Sequence, residues 1–221
     1  MNEIYRIAID GPSGAGKSTI AKSVARALDI DYIDTGAMYR AIGYKMKKEG
    51  IDPEDLSAVQ TMLDATRIDF RGGDIYLDEQ VVNDLIRTPE MSMMASGVAA
   101  QDCVRAYLLD MQRQLARTHN VVMDGRDIGT VVLPHAQVKV YLTASAEVRA
   151  DRRWKELTAK GEKVRYEDVY TDVVKRDEAD MTRKIAPLKC ADDAEVLDCS
   201  YLTIDQVVAE MKAIIRKKAS V

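Results

Sequence analysis

The chain has 221 residues, 47% hydrophobic and 31% charged, with a formal net charge of −4; this suits one compact unit with small appended parts and shows no bulk basic face for gripping a nucleic-acid backbone. Three cysteines, Cys103, Cys190 and Cys199, are odd in number and far apart without a C-x-x-C pair, which argues against a disulfide frame or a zinc site. No basic start runs into a long apolar stretch, and no segment approaches about 18 uninterrupted apolar residues, so a cytoplasmic monomer with no membrane span is expected.

Ile4 to Ile9 is an apolar-rich run that predicts a buried strand. It leads into Gly11-Pro12-Ser13-Gly14-Ala15-Gly16-Lys17-Ser18, which fits G-x-x-x-x-G-K-[ST] at every fixed position. Thr19 to Leu28 follows as a helix, with Ile20, Val24, Ala27 and Leu28 at helical spacing. Strand, glycine turn and helix are the context a phosphate loop needs: backbone N–H groups point inward at phosphate oxygens, and the helix N-terminus adds positive charge. Lys17 is expected at the terminal phosphates and the Ser18 hydroxyl on magnesium.

Ile30 to Asp34 predicts a second short strand, and Asp34 to Arg40 a cap and turn entering a helix that Gly50 stops. Asp52-Pro53-Glu54-Asp55 opens another helix, through about Ala65. Arg67 to Phe70, Asp74 to Leu77 and Gln80 to Val82 are short β-prone pieces, with turns at Gly72-Gly73 and Asp78-Glu79. Such a patch does not belong to a repeating strand–helix core, and about 63–86 reads as inserted. Helices resume from Thr88 to Arg117, broken near Gly97 and Asp102. Strands are expected at Asn120 to Met123, Val138 to Leu142 and Ala194 to Leu197; helices at Ala146 to Thr158, Asp168 to Arg183 and Thr203 to Lys218. Outside the insert, strand and helix alternate, which predicts an α/β fold with a parallel sheet and helices on both faces.

Sites in such sheets lie beyond the carboxyl ends of the strands. Three charged clusters fall there or on nearby helices: Asp34 to Arg40, Asp124-Gly125-Arg126-Asp127, and the helix carrying Arg176, Asp177, Asp180 and Arg183. Positions 176, 180 and 183 share one helical face, which serves equally as a solvated charge face. Arg149, Arg152 and Arg153 are spaced to share another, and three like charges together suit a polyanion, since guanidinium pairs bidentately with phosphate. His119 and His135 stand alone and read as surface residues.

With these residues in view, the chain resembles the bacterial type of cytidylate kinase, a phosphate-loop (P-loop NTPase) nucleoside monophosphate kinase, almost end to end. The resemblance rests on Ile9 to Lys17, Asp34-Thr35-Gly36-Ala37-Met38-Tyr39-Arg40, Asp124 to Val132 with Pro134, Arg176-Asp177, and Ala186-Pro187-Leu188. It implies a five-stranded parallel core (about 1–36, 87–148 and 168–221), a monophosphate-binding insert (about 37–86) and a short lid (about 149–167). It implies transfer of the ATP γ-phosphoryl group to CMP or dCMP with Mg2+ in pyrimidine nucleotide metabolism. Gly11 to Ser18, Thr19 and Arg152 would bind ATP. Arg40, Arg126 and Arg183 would hold the acceptor phosphate, Ser96, Arg105 and Asp127 would read cytosine, and Arg176 and Asp180 would contact sugar or phosphate. Thr35 and Tyr39 would complete the CMP site. Lys17, Arg126, Arg149, Arg153 and Arg183 would be the catalytic cations, and Asp124 would stand behind the metal.

Ser18 stands where some members have glycine, and Thr35 where serine is frequent. Ala179 and Met181 are uncharged where some members carry arginine, so only Arg176, Asp180 and Arg183 are carried over from that helix. The anionic acceptor oxygen needs no general base, so positioning and electrostatics, with closure of insert and lid, are expected to carry the rate. The readings set against this are another small-molecule phosphate-loop kinase, for uridylate or a non-nucleotide acceptor, and a nucleotide switch or a non-catalytic nucleotide-binding module. No Asn-Lys-x-Asp guanine-reading motif occurs in the chain.

Overall fold

The protein is described here as a computed structural model covering residues 5–71 and 73–219. Ile4, expected to begin the first strand, and Gly72 of the Gly72-Gly73 turn lie outside the described residues. The chain runs β1 (Arg6–Asp10), α1 (Lys17–Leu28), β2 (Asp31–Asp34), α2 (Thr35–Glu49) and α3 (Leu56–Asp64). It continues through β3 (Ile68–Arg71), β4 (Asp74–Leu77), β5 (Gln80–Val81), α4 (Pro89–Val98), α5 (Asp102–Thr118) and β6 (Val121–Gly125). It ends with β7 (Val138–Thr143), α6 (Ala146–Ala159), α7 (Tyr166–Thr182), β8 (Glu195–Asp198) and α8 (Ile204–Ala219). Two compact units form: Met1–Tyr32 with His119–Val221, and Ile33–Thr118.

The five-stranded sheet has the order β2-β6-β1-β7-β8. β1 runs parallel to both neighbours, with Ile9 opposite Asp124 and Val140, and β8 runs parallel to β7. Strands covered on both faces read as unbroken apolar runs, and Ile7, Ala8 and Ile9 of β1 and Val121, Val122 and Met123 of β6 are wholly buried. Ile20, Ala21 and Val24 of α1 join Val207, Met211 and Ile215 of α8 and Val138, Val140 and Leu142 of β7 in one core. The parallel sheet foreseen from strand–helix alternation is the one that forms. Its register brings the carboxyl ends of β1, β6 and β7 together, where the phosphate loop and Asp124 to Asp127 begin.

Strand β6 runs on through Asp124 and Gly125, further than its apolar run indicated. Beyond it, residues 128–132 make a π-helical turn, with the Val132 N–H donating to the Asp127 carbonyl (3.1 Å) and the Leu133 N–H to the Ile128 carbonyl (2.7 Å). Such turns are rare and often sit at functional places. Helices α6 and α7 form a hairpin. Trp154 Nε1–H donates to the Val164 carbonyl (3.2 Å), Tyr166 meets Trp154 edge-on, and Tyr170 stacks on Tyr166.

In the second unit, the Asp34 carboxylate caps α2 and Gly50 ends it in the left-handed region. Strands β3, β4 and β5 pair antiparallel, Ile68 opposite Leu77. The unit takes in α4 and α5, assigned to the core from sequence, because α4 packs along α2, and α5 against α3 and α2. Met91, Ala95 and Val98 of α4 and Val104 and Leu108 of α5 are buried. No described helix is long and apolar enough to cross a membrane.

Candidate active site

The phosphate loop takes its shape from glycines no other residue replaces without cost. Gly11, Gly14 and Gly16 have φ of 148°, 76° and 90°, a region that L side chains avoid. Gly16 ends the loop and α1 starts at Lys17 without a side-chain cap, so its first N–H groups remain for an anion. Pro12, Ser13 and Ala15 complete the loop, and Thr19 lies on the exposed first turn of α1. The buried Lys17 amine donates to the carbonyls of Gly11 and Pro12, each at 2.8 Å. Burial, and after it the Arg126 charge, push the Lys17 pKa down to about 7; a polyanion works in the opposite direction.

Ser18 Oγ donates to Asp124 Oδ2 (3.1 Å), and the Tyr32 hydroxyl to Asp124 Oδ1 (2.7 Å). A serine hydroxyl and a buried carboxylate beside the loop are hard oxygen donors, the kind a magnesium-like cation takes. Among the described residues, no cluster of three or more His, Cys, Asp or Glu forms a metal site.

Asp10, at the end of β1, accepts from the N–H groups of Ile128 (2.8 Å) and Gly129 (2.7 Å). It thus fastens the π-helical turn to the strand that feeds the phosphate loop. Burial pushes its pKa up to about 6 despite these two bonds, and the neighbouring Asp127 charge adds to the rise. Arg126 Nε donates to Asp180 Oδ2 (2.7 Å), and Arg183 Nη2 to Asp127 Oδ1 (3.2 Å). Asp127 and Asp180 are both buried. Arg183 also bonds the Ala186 carbonyl through Nε (2.7 Å). Arg176 lies near enough to Lys17 to help lower its pKa. Helix α7 and its C-terminal cap residue therefore bring Arg176, Asp180 and Arg183 to the Asp124–Asp127 loop and Lys17.

Arg149, Arg152 and Arg153, expected to share a face toward a polyanion, each have separate acceptors within the protein. Arg149 is buried and bonded to the Ser13 carbonyl (2.9 Å), the Ala144 carbonyl (2.8 Å) and Asp177 (2.6 Å). Arg152 donates to the Cys199 carbonyl (2.8 Å), and the Cys199 thiol donates to the Ala15 carbonyl (3.3 Å). Arg153 turns along its own helix to Glu156 (2.8 Å). Helical spacing fixes where three stems leave α6; each long guanidinium then turns to the nearest acceptor.

The second unit, taken by itself, holds the other residues named from sequence. Arg40 Nη2 pairs with Asp34 Oδ2 (3.0 Å), while Asp34 Oδ1 caps Ala37 (2.8 Å). Gly36 leaves room there, since a Cβ would lie 3.2 Å from Arg40 Nη1. Arg105, on α5, is buried, lies over the Tyr39 ring at 5.8 Å and reaches the Ala99 carbonyl at 3.4 Å. Thr35 is buried at the start of α2, and Ser96 is half-buried on α4. Two residues gained no role from sequence: Asp10 and Asp177. A charge ending an apolar strand must be paired or hydrogen-bonded if buried, and that signal was available for Asp10.

A sequence profile for cytidylate kinase matches residues 7–217. The cytidylate kinase of Carboxydothermus hydrogenoformans is 50% identical over 220 residues, covering 98% of this chain and 99% of that one. That of Clostridioides difficile is 48% identical over 205 residues, covering 93% and 95%. Among solved structures, the shikimate kinase from Bacteroides thetaiotaomicron matches with a TM-score of 0.51 at 13% identity, over 97% of this chain and 99% of that one, a likeness of fold alone. Matched nearly end to end by sequence, and carrying the phosphate loop with its lysine and converging arginines, the chain belongs to the cytidylate kinase family.

Proposed function

We propose that the chain transfers the γ-phosphoryl group of ATP to CMP and dCMP, releasing ADP and the nucleoside diphosphate, in pyrimidine nucleotide metabolism of the cytoplasm. The observation that carries the reading is the Asp124–Asp127 loop. It sets Arg126 and Asp127 side by side in the same unit as a complete phosphate loop, each matched by an opposite charge from α7 or its cap residue.

The roles follow from charge and shape. The loop amides and Lys17 take the β- and γ-phosphates, where burial removes competing water. Ser18, with Asp124 behind it, would hold a divalent ion, most simply Mg2+, whose contribution is to neutralise charge on the triphosphate. Arg126, Arg183 and Arg40 are assigned to the acceptor phosphate, with Arg149 and Arg153 as further cations and Arg152 toward ATP. Arg176 and Asp180 take sugar or phosphate, and Thr35, Tyr39, Ser96 and Arg105 serve the monophosphate. We assign the insert, about 37–86 within the second unit, to monophosphate binding and residues of about 149–167 to the lid. The acceptor oxygen is already anionic near neutral pH, so the O–P bond forms in line as the bond to ADP breaks, with no proton to abstract.

Asp127 supplies base choice. A carboxylate complements the exocyclic amine of cytosine, whereas uracil presents a carbonyl there. An unpaired buried polar group costs about 1–3 kcal/mol, or about tenfold to hundredfold in preference. The test is a coupled ADP-release assay with ATP, Mg2+ and a panel of CMP, dCMP, UMP, AMP and shikimate. CMP and dCMP are expected to lead; a preference for UMP or shikimate would refute the assignment.

A further inference from the structure

Two carboxylates one turn apart on α7 serve different arginines. Asp180 takes Arg126 at 2.7 Å, and Asp177 Oδ2 takes Arg149 Nη2 at 2.6 Å. Arg149 also bonds backbone through its other two nitrogens: Nε–H to the Ala144 carbonyl after β7, and Nη1–H to the Ser13 carbonyl inside the phosphate loop. Three partners on three sides fix a planar fork in one orientation. The loop also rests on the arginine's stem, since a Cβ on Gly14 would lie 3.2 Å from Arg149 Cβ. Asp177 is itself buried, and its second oxygen, Oδ1, has no hydrogen-bond partner among the described residues. A carboxylate in that state is costly to keep for stability alone.

We propose that Asp177 is a positioning residue for the ATP side of the reaction: it aims the Arg149 guanidinium so that Nη1 props the phosphate loop at Ser13 in the shape that receives a triphosphate. Asp180 has the matching task for Arg126 on the acceptor side. The inference rests on the phosphate loop being the ATP site, and deepens that reading by dividing the two carboxylates of α7 between donor and acceptor. Asp177→Asn keeps the shape and one acceptor oxygen but removes the charge that strengthens the bond to Arg149.

The experiment compares the full-length wild type with Asp177→Asn, Asp180→Asn and Arg149→Lys. KM is measured for ATP and for CMP, with calorimetric binding of a non-hydrolysable ATP analogue and thermal unfolding alongside. Asp177→Asn is expected to weaken KM for ATP and analogue binding by about tenfold, with KM for CMP changed less than about twofold. Asp180→Asn is expected to show the opposite split. Arg149→Lys keeps a charge beside Asp177 but loses the fork to Ser13 and Ala144; it should reproduce the ATP-side defect, and it carries the test if Asp177→Asn fails to fold. The proposal is overturned if Asp177→Asn raises both KM values alike, if it lowers thermal stability while ATP affinity stays unchanged, or if Arg149→Lys binds the analogue normally. A wild type that phosphorylates CMP while Asp177→Asn keeps its ATP affinity refutes this inference alone. A wild type inactive on CMP refutes the acceptor assignment, and analogue binding still decides the part played by Asp177.

Discussion

Three alanine substitutions in the phosphate loop should destabilise the protein in a definite order. At Gly11 an added Cβ would lie 1.9 Å from the Leu142 carbonyl oxygen and 3.0 Å from its carbon, at φ 148°. Neither side gives way easily: Ile9 and Leu142 are wholly buried on adjacent central strands. Backbone strain of about 1–2 kcal/mol and overpacking of about 1–3 kcal/mol together give about 2–5 kcal/mol. At about 2–4 °C per kcal/mol for a chain of this size, Tm should fall by about 4–20 °C. At Gly16 no described residue beyond its two chain neighbours comes within 4 Å of the added Cβ, and only the strain of φ 90° remains, so the fall should be about 2–8 °C. Gly14, at φ 76° with a tight 3.2 Å contact to the Arg149 stem, should lie between. Calorimetric unfolding of the three nucleotide-free variants measures the order directly. If Gly16→Ala lost as much as Gly11→Ala, or if Gly11→Ala left Tm unchanged, the steric reasoning would be refuted.

Lys17→Ala should lower turnover by about 10³-fold or more with the fold retained; near-normal activity by the coupled assay would contradict its role. With burial and Arg126 holding Lys17 down to about 7, the amine is mostly neutral at about pH 8 and should take up a proton when ATP binds. Calorimetry in two buffers of different ionisation enthalpy would then give different heats, and identical heats would exclude the uptake. Asp10, pushed up to about 6, keeps in the folded state a proton that the unfolded chain gives up at lower pH. Its contribution to stability is therefore present at about pH 4 and falls as pH rises toward about 6. Asp10→Asn should remove that slope in urea unfolding and cost about 1–3 kcal/mol, because one amide oxygen cannot serve two N–H donors in the same way. Asp127→Ala should narrow the CMP/UMP preference by about tenfold to hundredfold; an unchanged ratio would remove Asp127 from base reading.

The phosphate loop and the central strands were legible because their local requirements are strict. Gly11, Gly14 and Gly16 occupy backbone conformations that leave little choice of residue, and β1 and β6 show their double-sided burial as continuous apolar runs. The partners of the arginines were not legible. Arg149 is held by residues 13, 144 and 177, which only the folded chain brings together, and helical periodicity says nothing about such distances. The same holds for α4, whose buried side was readable as apolar while the helix it faces, α2, was not. The π-helical turn after Asp127 has no repeating pattern to betray it, and its anchor, Asp10, lies 118 residues away in sequence from Ile128.

The chain's single tryptophan sits where α6 and α7 meet, its indole N–H held by the Val164 carbonyl and its ring edge to Tyr166. Indole emission, excited at wavelengths the ten tyrosines do not absorb, therefore comes from one known address, without labelling or mutation. A change in its wavelength or quenching on adding nucleotide reads rearrangement of that hairpin specifically. An unaltered spectrum would mean that the indole keeps its surroundings while the substrates bind.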